Sequence, residues 1–171
     1  SGGFAMLTIA KDQNDGEWNG EKAGDFIFTL GGYASSYQPK AFYPRVSRLA
    51  LTWQVSSALS VKAQQYFAIT PEAMMVGGHV MANFQEGGSL SIHVYFVMGA
   101  DLIIYWKPYH YLGHIYAELN VAANISVDCW LFTIHMHIDF DLSADLRIYG
   151  PPFSGTANVR VHMIVSFSVS V

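Results

Sequence analysis

The chain has 171 residues, of which 51% are hydrophobic and only 13% are charged, and its formal net charge is -4. This length predicts a single domain over residues 1–171. The weakly acidic balance, without any basic run, argues against a protein that binds nucleic acid. No stretch of about 18 apolar residues is free of polar interruption, so the sequence predicts no transmembrane helix. The single cysteine, Cys129, excludes an internal disulfide.

The N-terminal residues are predicted to form a β-hairpin. A short apolar run at residues 4–10 is typical of a strand, and residues 25–30 form a second strand that ends at Gly31-Gly32. Residues 11–24 between them are polar and rich in turn residues, which indicates an exposed loop. Residues 1–32 are therefore expected to form an N-terminal hairpin.

Residues 33–48 show no clear period and are predicted to be a connector. They contain Pro39 and Pro44, which fix the backbone angle φ and remove hydrogen-bond donors, so the segment is expected to lie extended on the surface. Its aromatic side chains, such as Tyr37 and Tyr43, are expected to cap one end of the core.

From residue 49 onward, apolar and polar residues alternate almost without a break. A period of two is typical of a β-strand with one buried face, and no segment shows the period of an amphipathic helix. Gly77-Gly78 within this region predicts a bulge or a kink. The alternation predicts a meander of long antiparallel strands at residues 49–69, 73–85, 90–106, 109–129, 132–149 and 156–171.

Short turns between these strands fix which residues lie opposite each other. The numbers of opposed residues in a hairpin add to a constant. The turn between the third and fourth strands therefore sets Asp101 opposite His114, and the turn between the first and second sets Phe67 opposite Val76. A two-residue turn at Trp130-Leu131 joins the fourth and fifth strands.

Two longer loops are placed by the same rule. A loop over residues 150–155 sets Asp145 opposite Arg160 as a cross-strand ion pair. A three-residue loop between the second and third strands sets His79 opposite Tyr95. With these registers, every turn leaves the apolar residues on the same face of the sheet.

One whole face of this sheet is thus predicted to be apolar. Strands of twenty residues are about 65 Å long, and an uncovered apolar face of that length would promote aggregation. The sheet is expected to curl into a barrel-like or half-pipe shape with an apolar interior face, or to meet another copy, a larger parent chain, or a lipid or other apolar small molecule. The residues expected to contact such a ligand are Trp53, Phe67, Phe96, Met98, Trp106, Phe140, Met163 and Phe167.

The opposite face carries histidine and carboxylate residues on one strand. His135 and His137 are two positions apart, so both project to the same side, and Asp139 follows on that side. Imidazole and carboxylate groups are zinc ligands, so these three residues predict a metal site. The alternative is a solvated polar face, because the expected neighbours of His137, Asn124 and Ser168, are poor ligands. No motif predicts a cofactor.

Several short motifs follow one another in a fixed order along the chain. They are Gly24-Asp25-Phe26, Thr29-Leu30-Gly31-Gly32-Tyr33, Tyr43-Pro44, Arg48-Leu49, Tyr66-Phe67-Ala68-Ile69-Thr70-Pro71, Gly77-Gly78, Trp106-Lys107-Pro108-Tyr109 and Gly150-Pro151-Pro152-Phe153-Ser154-Gly155-Thr156-Ala157. In these motifs the chain resembles a domain of unknown function found in very large fungal and bacterial proteins. The resemblance implies one segment of a longer β-rich protein, and it implies no activity and no catalytic residue.

Together these observations favour a non-enzymatic β-sheet module. It is expected to assemble with itself or with a parent chain, and to enclose an apolar interior that carries a lipid or similar ligand. The alternative is a hydrolase or metal-dependent enzyme that uses the polar face with its histidines and aspartates. Nucleophilic catalysis needs a nucleophile beside an oriented base, and no such arrangement is evident in the sequence.

Overall fold

The computed structural model describes residues 2–8, 17–18, 21–22 and 25–170. Within these residues there is no helix, and hence none that could span a membrane. The strands are β1 (Phe4–Thr8), β2 (Glu17–Trp18), β3 (Glu21–Lys22), β4 (Phe26–Leu30), β5 (Leu49–Gln54), β6 (Leu59–Ile69), β7 (Ala73–Glu86), β8 (Leu90–Trp106), β9 (Tyr109–Cys129), β10 (Phe132–Gly150) and β11 (Ser154–Ser170).

Nine strands form one antiparallel sheet in the order β1-β4-β6-β7-β8-β9-β10-β11, with β5 added beside β6. The sheet is curled but not closed. This confirms the predicted all-β, long-stranded antiparallel meander, in which β9 alone has 21 residues. The short strands β2 and β3 pair with each other inside the predicted loop at residues 11–24, the rest of which lies outside the described residues.

The prediction of one long strand at residues 49–69 is wrong, because the chain folds back on itself within this segment. β5 and β6 form a hairpin that sets Trp53 opposite Val61. At the turn, the Ser56 hydroxyl oxygen accepts hydrogen bonds from the backbone N–H groups of Ala58 at 3.2 Å and Leu59 at 3.1 Å. Serine stabilises turns in this way, but the alternation of residue types continues through the turn and conceals it.

The predicted registers at the short turns are confirmed. Asp101 lies opposite His114, Phe67 lies opposite Val76, and the β9–β10 hairpin has a two-residue turn. Gly77-Gly78 forms no bulge, because the pairing of β7 with β6 runs through it without interruption.

The two registers at the longer loops are wrong. Asp145 lies opposite Asn158, with Arg160 opposite Ser143, because β10 and β11 continue further into their turn than predicted. His79 lies opposite Gly99, since five residues separate the last paired residues, Glu86 and Ile92, instead of the predicted three. Both shifts are even numbers of residues, so every side chain keeps its predicted face.

Apolar residues therefore face each other across the whole sheet, on a surface we call the apolar face. Met98 of β8 lies between Val80 of β7 and Ala117 of β9. At the other end of the sheet, the rings of Phe28 and Phe67 are 6.3 Å apart. Nothing in the described part of the chain covers this face, and Met98 is 49% exposed.

The buried core lies on the opposite face of the sheet. Connector residues 33–48 pack there, and the connector therefore covers this face instead of capping the end of an apolar interior. Sheet positions that alternate with the apolar face are themselves apolar beneath the connector, which explains the packing. The core consists of Ile27, Ala34, Tyr37, Tyr43, Tyr66, Ala68, Ala73, Met75 and Ile103.

Gly31 and Gly32 turn the chain out of β4 and into the connector. Their φ angles of 73° and 90° lie in the left-handed region that favours glycine. A Cβ atom on Gly31 would also come within 2.8 Å of the backbone nitrogen of Leu49. This close approach lets two strands share one edge of β6, with β4 against residues 67–69 and β5 against residues 60–65.

An ion pair fixes the connector to the start of β4. Lys40 Nζ contacts Asp25 Oδ2, and the Tyr43 hydroxyl donates to Asp25 Oδ1 at 2.8 Å. Burial of Asp25 acts to raise its pKa, but the hydrogen bonds from Lys40 and Tyr43 outweigh that effect and hold the pKa below its ordinary value. For Lys40, burial acts to lower the pKa, while its bond with Asp25 raises it overall.

We expect Asp25→Asn to lower the free energy of unfolding by about 1–3 kcal/mol at neutral pH, the cost of a lost buried charge-assisted hydrogen bond. Because the folded pKa of Asp25 is depressed, its contribution is full above the unfolded pKa of about 3.9 and is lost as the pH falls below that value. Because the pKa of Lys40 is raised, its contribution is full below about pH 10.4 and is lost at higher pH. Urea unfolding across this pH range measures both effects.

Asp141→Asn is the matched control, since Asp141 is an exposed residue that accepts a hydrogen bond from Asn120. It should change the free energy of unfolding by less than about 0.5 kcal/mol. Equal losses from the two variants would contradict the role given to the ion pair between Asp25 and Lys40.

Candidate functional site

A groove of about 1050 Å³ lies on the apolar face where β5 to β10 run side by side. Its volume is at the upper end of the range of about 300–1,000 Å³ that holds small molecules. The apolar side chains that line it include Leu51, Val76, Val80, Met98 and Ile115. Each of these side chains is at least two-fifths exposed in the described structure.

Small residues form the floor of the groove. Gly78 lies opposite Ala100, and Ala100 lies opposite Ile115, so two residues with little or no side chain stand side by side. Gly113 is close by, and a Cβ atom on it would come within 2.9 Å of Ile148 Cδ1. The groove therefore exists because glycine and alanine occupy positions that larger side chains would fill.

Of the eight residues predicted to contact an apolar ligand, Met98 lines this groove. The other seven lie on the apolar face outside the groove lining. Phe67, Phe96 and Phe140 are half-buried among their neighbours. The four that are exposed are Trp53, Trp106, Met163 and Phe167.

Sequence reasoning missed the floor residues. The predicted register between β7 and β8 was four residues out, which set Gly78 opposite Phe96 instead of Ala100. The glycines were visible in the sequence, but only the true register shows that they and Ala100 adjoin.

The residues of the predicted metal site lie together on the polar face. His137 Nε2 is 2.7 Å from Asp139 Oδ2, and His137 Nδ1 is 2.5 Å from Asn124 Oδ1. His135 Nδ1 is 3.0 Å from the Ser126 hydroxyl oxygen. Among the described residues no group of three or more His, Cys, Asp or Glu side chains is arranged to hold a metal ion. The metal site stays a prediction.

A polar network that sequence reasoning missed crosses β9 and β10. His114 Nε2 lies 2.5 Å from Asp145 Oδ2, and Arg147 Nε donates to Asp145 Oδ1 at 3.1 Å. The hydrogen bond from His114 is the main reason that the pKa of Asp145 is held below its ordinary value. The register predicted from the Trp130-Leu131 turn was correct, and it places Asp145 diagonally across from His114. The contact was missed because Asp145 had been assigned to Arg160.

A second polar contact spans three strands. The Tyr66 hydroxyl of β6 reaches over Gly77 of β7 to donate to Asp101 Oδ1 of β8. A Cβ atom on Gly77 would come within 2.7 Å of the Tyr66 hydroxyl oxygen, so glycine makes the contact possible. The Arg48 guanidinium lies 4.0 Å from the centre of the Tyr66 ring.

Burial and the Asp101 carboxylate both raise the pKa of Tyr66, which keeps its hydroxyl protonated as a donor. The contact therefore ties β6 to β8 and supplies no catalytic base. Tyr66 also belongs to the buried core in which the connector packs on the sheet.

These features define the class of protein. It is an open antiparallel sheet with an apolar groove on one face and a hydrogen-bonded polar network on the other. The chain belongs to the family described as "Family of unknown function (DUF6603)", whose model matches residues 1–171. The comparisons with curated proteins and with solved structures found no match. The family membership confirms the resemblance to a domain of unknown function and brings no activity with it.

We expect Tyr66→Phe to lower the free energy of unfolding by about 1.5–3 kcal/mol, the range for a hydrogen bond to a charged group. Tyr95→Phe is the matched control, since among the described residues the hydrogen-bonding partner of the Tyr95 hydroxyl is the Met81 sulfur, at 3.6 Å. The control should stay within about 0.5 kcal/mol of the parent protein in urea unfolding. A loss confined to Tyr95→Phe would contradict the role assigned to Tyr66.

Proposed function

We propose that this domain is a non-enzymatic β-sheet module that binds an alkyl-chain molecule, such as a fatty acid or the acyl chain of a lipid, in the groove on its apolar face. The single observation that carries the proposal is the groove itself, about 1050 Å³ in volume, over a floor of small residues. A flexible hydrocarbon chain suits this site because its contacts are non-directional and scale with the apolar area removed from water.

The exposure of the side chains that line the groove supports the proposal that a ligand binds there. Leu51 is 67% exposed and Ile115 is 48% exposed, although both belong to a continuous apolar surface. Contiguous apolar surface of this extent marks a site of interaction. Covering these side chains would contribute about 25 cal/mol for each Å² of apolar area buried.

The alternative of a hydrolase or metal-dependent enzyme has less support. Both ring nitrogens of His137 already have hydrogen-bonding partners, and a metal would have to displace Asn124 or Asp139. Among the described residues the hydrogen-bonding partners of Asp145 are His114 and Arg147, and neither carries a nucleophilic hydroxyl or thiol. Chemistry on the polar face stays a prediction without an observation in its favour.

A second candidate is assembly with another copy of the chain through the apolar face. The observation that favours it is self-complementarity, because two uncharged apolar faces can pack as the two layers of a β-sandwich about 10 Å apart. The exposed side chains Met163 and Phe167 of β11 lie on the same face as the groove. The two candidates differ in whether the groove holds a ligand or the side chains of a partner.

The proposal predicts that Ala100→Phe weakens binding of the fluorescent fatty acid cis-parinaric acid by at least about tenfold, or about 1.4 kcal/mol. Ala100 is exposed on the groove floor, where a phenyl ring would occupy the space of the ligand. Fluorescence titration gives the affinity. Ala122→Phe is the matched control, because Ala122 lies on the polar face between His93 and Asp139 and should leave the affinity unchanged.

Light scattering coupled to size-exclusion chromatography separates the two candidates. A monomer that binds the probe and carries an extractable lipid in mass spectrometry supports the proposed function. A dimer that binds no probe, and that Ala100→Phe dissociates, supports assembly through the face and overturns the ligand proposal. A monomer that binds no probe contradicts both.

A further inference from the structure

The turn between β9 and β10 presents large apolar side chains to solvent. Trp130 is 96% exposed and Leu131 is 69% exposed, and they form the two residues of the turn. Val127 and Phe132 flank them and are also exposed. We call residues 127–132 the hairpin tip.

This hairpin tip projects beyond the neighbouring strand β8. The ladder between β8 and β9 ends where Leu90 pairs with Ile125, and the last contact is a hydrogen bond of 2.9 Å from the Ser126 N–H to Ser89 O. An exposed tryptophan and leucine at the apex of a projecting hairpin have no packing role within the described chain.

We propose that the hairpin tip is a membrane-docking element that inserts into the interfacial region of a lipid bilayer. Tryptophan favours this region because its ring is apolar and its indole N–H remains hydrogen-bonded. Leu131 at the apex and Phe132 one position behind it would bury their side chains against hydrocarbon instead of water. The proposal does not depend on occupation of the groove, so it goes beyond the proposed function.

A polar collar at the base of the hairpin tip would limit the depth of insertion. The Thr133 hydroxyl donates to Asp128 Oδ1 at 2.9 Å, and Ser126 and His135 are in contact one step further back. The distance from this collar to the apex is about two residues, or about 7 Å. Interfacial elements bury their apolar side about 5–10 Å into the headgroup and acyl boundary, so the tip has the required reach.

Charge selects the kind of membrane. The sequence has no Lys or Arg between Lys107 and Arg147, and none after Arg160. The charge nearest the apex is the carboxylate of Asp128, which an anionic surface would repel. Binding should therefore depend on burial of apolar side chains in zwitterionic bilayers, with little dependence on salt or on added anionic lipid.

The apolar face connects the hairpin tip to the groove. Between Val127 at the tip and Ile115 in the groove, every second residue of β9 is apolar. Their partners on β10 are apolar as well, from Ile134 opposite Val127 to Leu146 opposite Ile115. A hydrocarbon chain could thus move from bilayer to groove without leaving apolar surface.

The test is flotation of the full chain with phosphatidylcholine vesicles. The unmodified chain should float with the vesicles at low and at high salt, and the double variant Trp130→Ser, Leu131→Ser should lose at least about tenfold in partitioning, because each buried side chain is worth more than 1.4 kcal/mol. Tyr109→Ser with Phe153→Ser is the matched control, since both are exposed aromatic residues at turns on the opposite end of the sheet. Equal flotation of the unmodified chain and the Trp130 and Leu131 variant would overturn the proposal.

Brominated lipids provide a positional measurement. They should quench tryptophan fluorescence in the unmodified chain, and Trp130→Phe should remove most of that quenching while the protein still floats. Flotation without quenching would place another surface at the membrane and contradict the proposal. So would a concentration-dependent dimer that the Trp130 and Leu131 variant abolishes, since it would show that a second copy covers the tip.

The same variants separate this proposal from the groove. Trp130→Ser with Leu131→Ser should still bind cis-parinaric acid without vesicles, and Ala100→Phe should still float. If the groove binds no probe while the tip-dependent flotation holds, only the proposed function fails. If the probe binds and flotation is absent, only the membrane-docking proposal fails.

Discussion

Antiparallel register is the constraint on which the other features of this structure depend. Each residue of a strand faces alternately to one side or the other, so a shift by one residue would move a whole strand's side chains to the wrong face. Every turn from β6 to β11 preserves the alignment, as with Cys129 opposite Phe132 at the β9–β10 turn. The result is a sheet with two chemically distinct faces, formed without any layer of helices in the described chain.

The chain covers its two faces unequally. Connector residues 33–48 cover one end of the polar face, where Tyr66, Met75 and Ile103 become the buried core. The ion pair between Asp25 and Lys40 fixes the connector to the start of β4, and the contact of Tyr66 with Asp101 ties β6 to β8 beneath it. The apolar face receives no such layer from the described residues, so the stabilising core and the candidate binding surface lie on opposite sides of the same strands.

Features that depend only on the period of two were predictable from the sequence. Met98 and Phe167 were assigned to the apolar face and lie there, because a register error of two or four residues does not change the face. Features that depend on the exact register were predictable at the two-residue turns, but not across the longer loops or at the turn between β5 and β6. The groove floor was missed because Gly78 and Ala100 meet across one of the longer loops. The contact between His114 and Asp145 was missed because Asp145 was assigned to Arg160.

The position of the core was hidden for a different reason. The connector has no periodicity, so nothing in its sequence says which face it covers. The signal was the apolar character of Ala68, Met75 and Ile103 at positions that alternate with the apolar face. Ala68, Met75 and Ile103 lie near one end of the sheet, and that is where the connector packs.

The two edges of the sheet differ, because β4 and β5 share one edge of β6. On the side of β6 away from β7, the outermost strands are short, with five residues in β1 and six in β5. On the other side the sheet ends in β11, a strand of 17 residues whose outer edge has no partner in the described chain. In the described chain β11 therefore offers the longest unpaired row of backbone N–H and C=O groups, which is the part of a sheet to which a further strand can add.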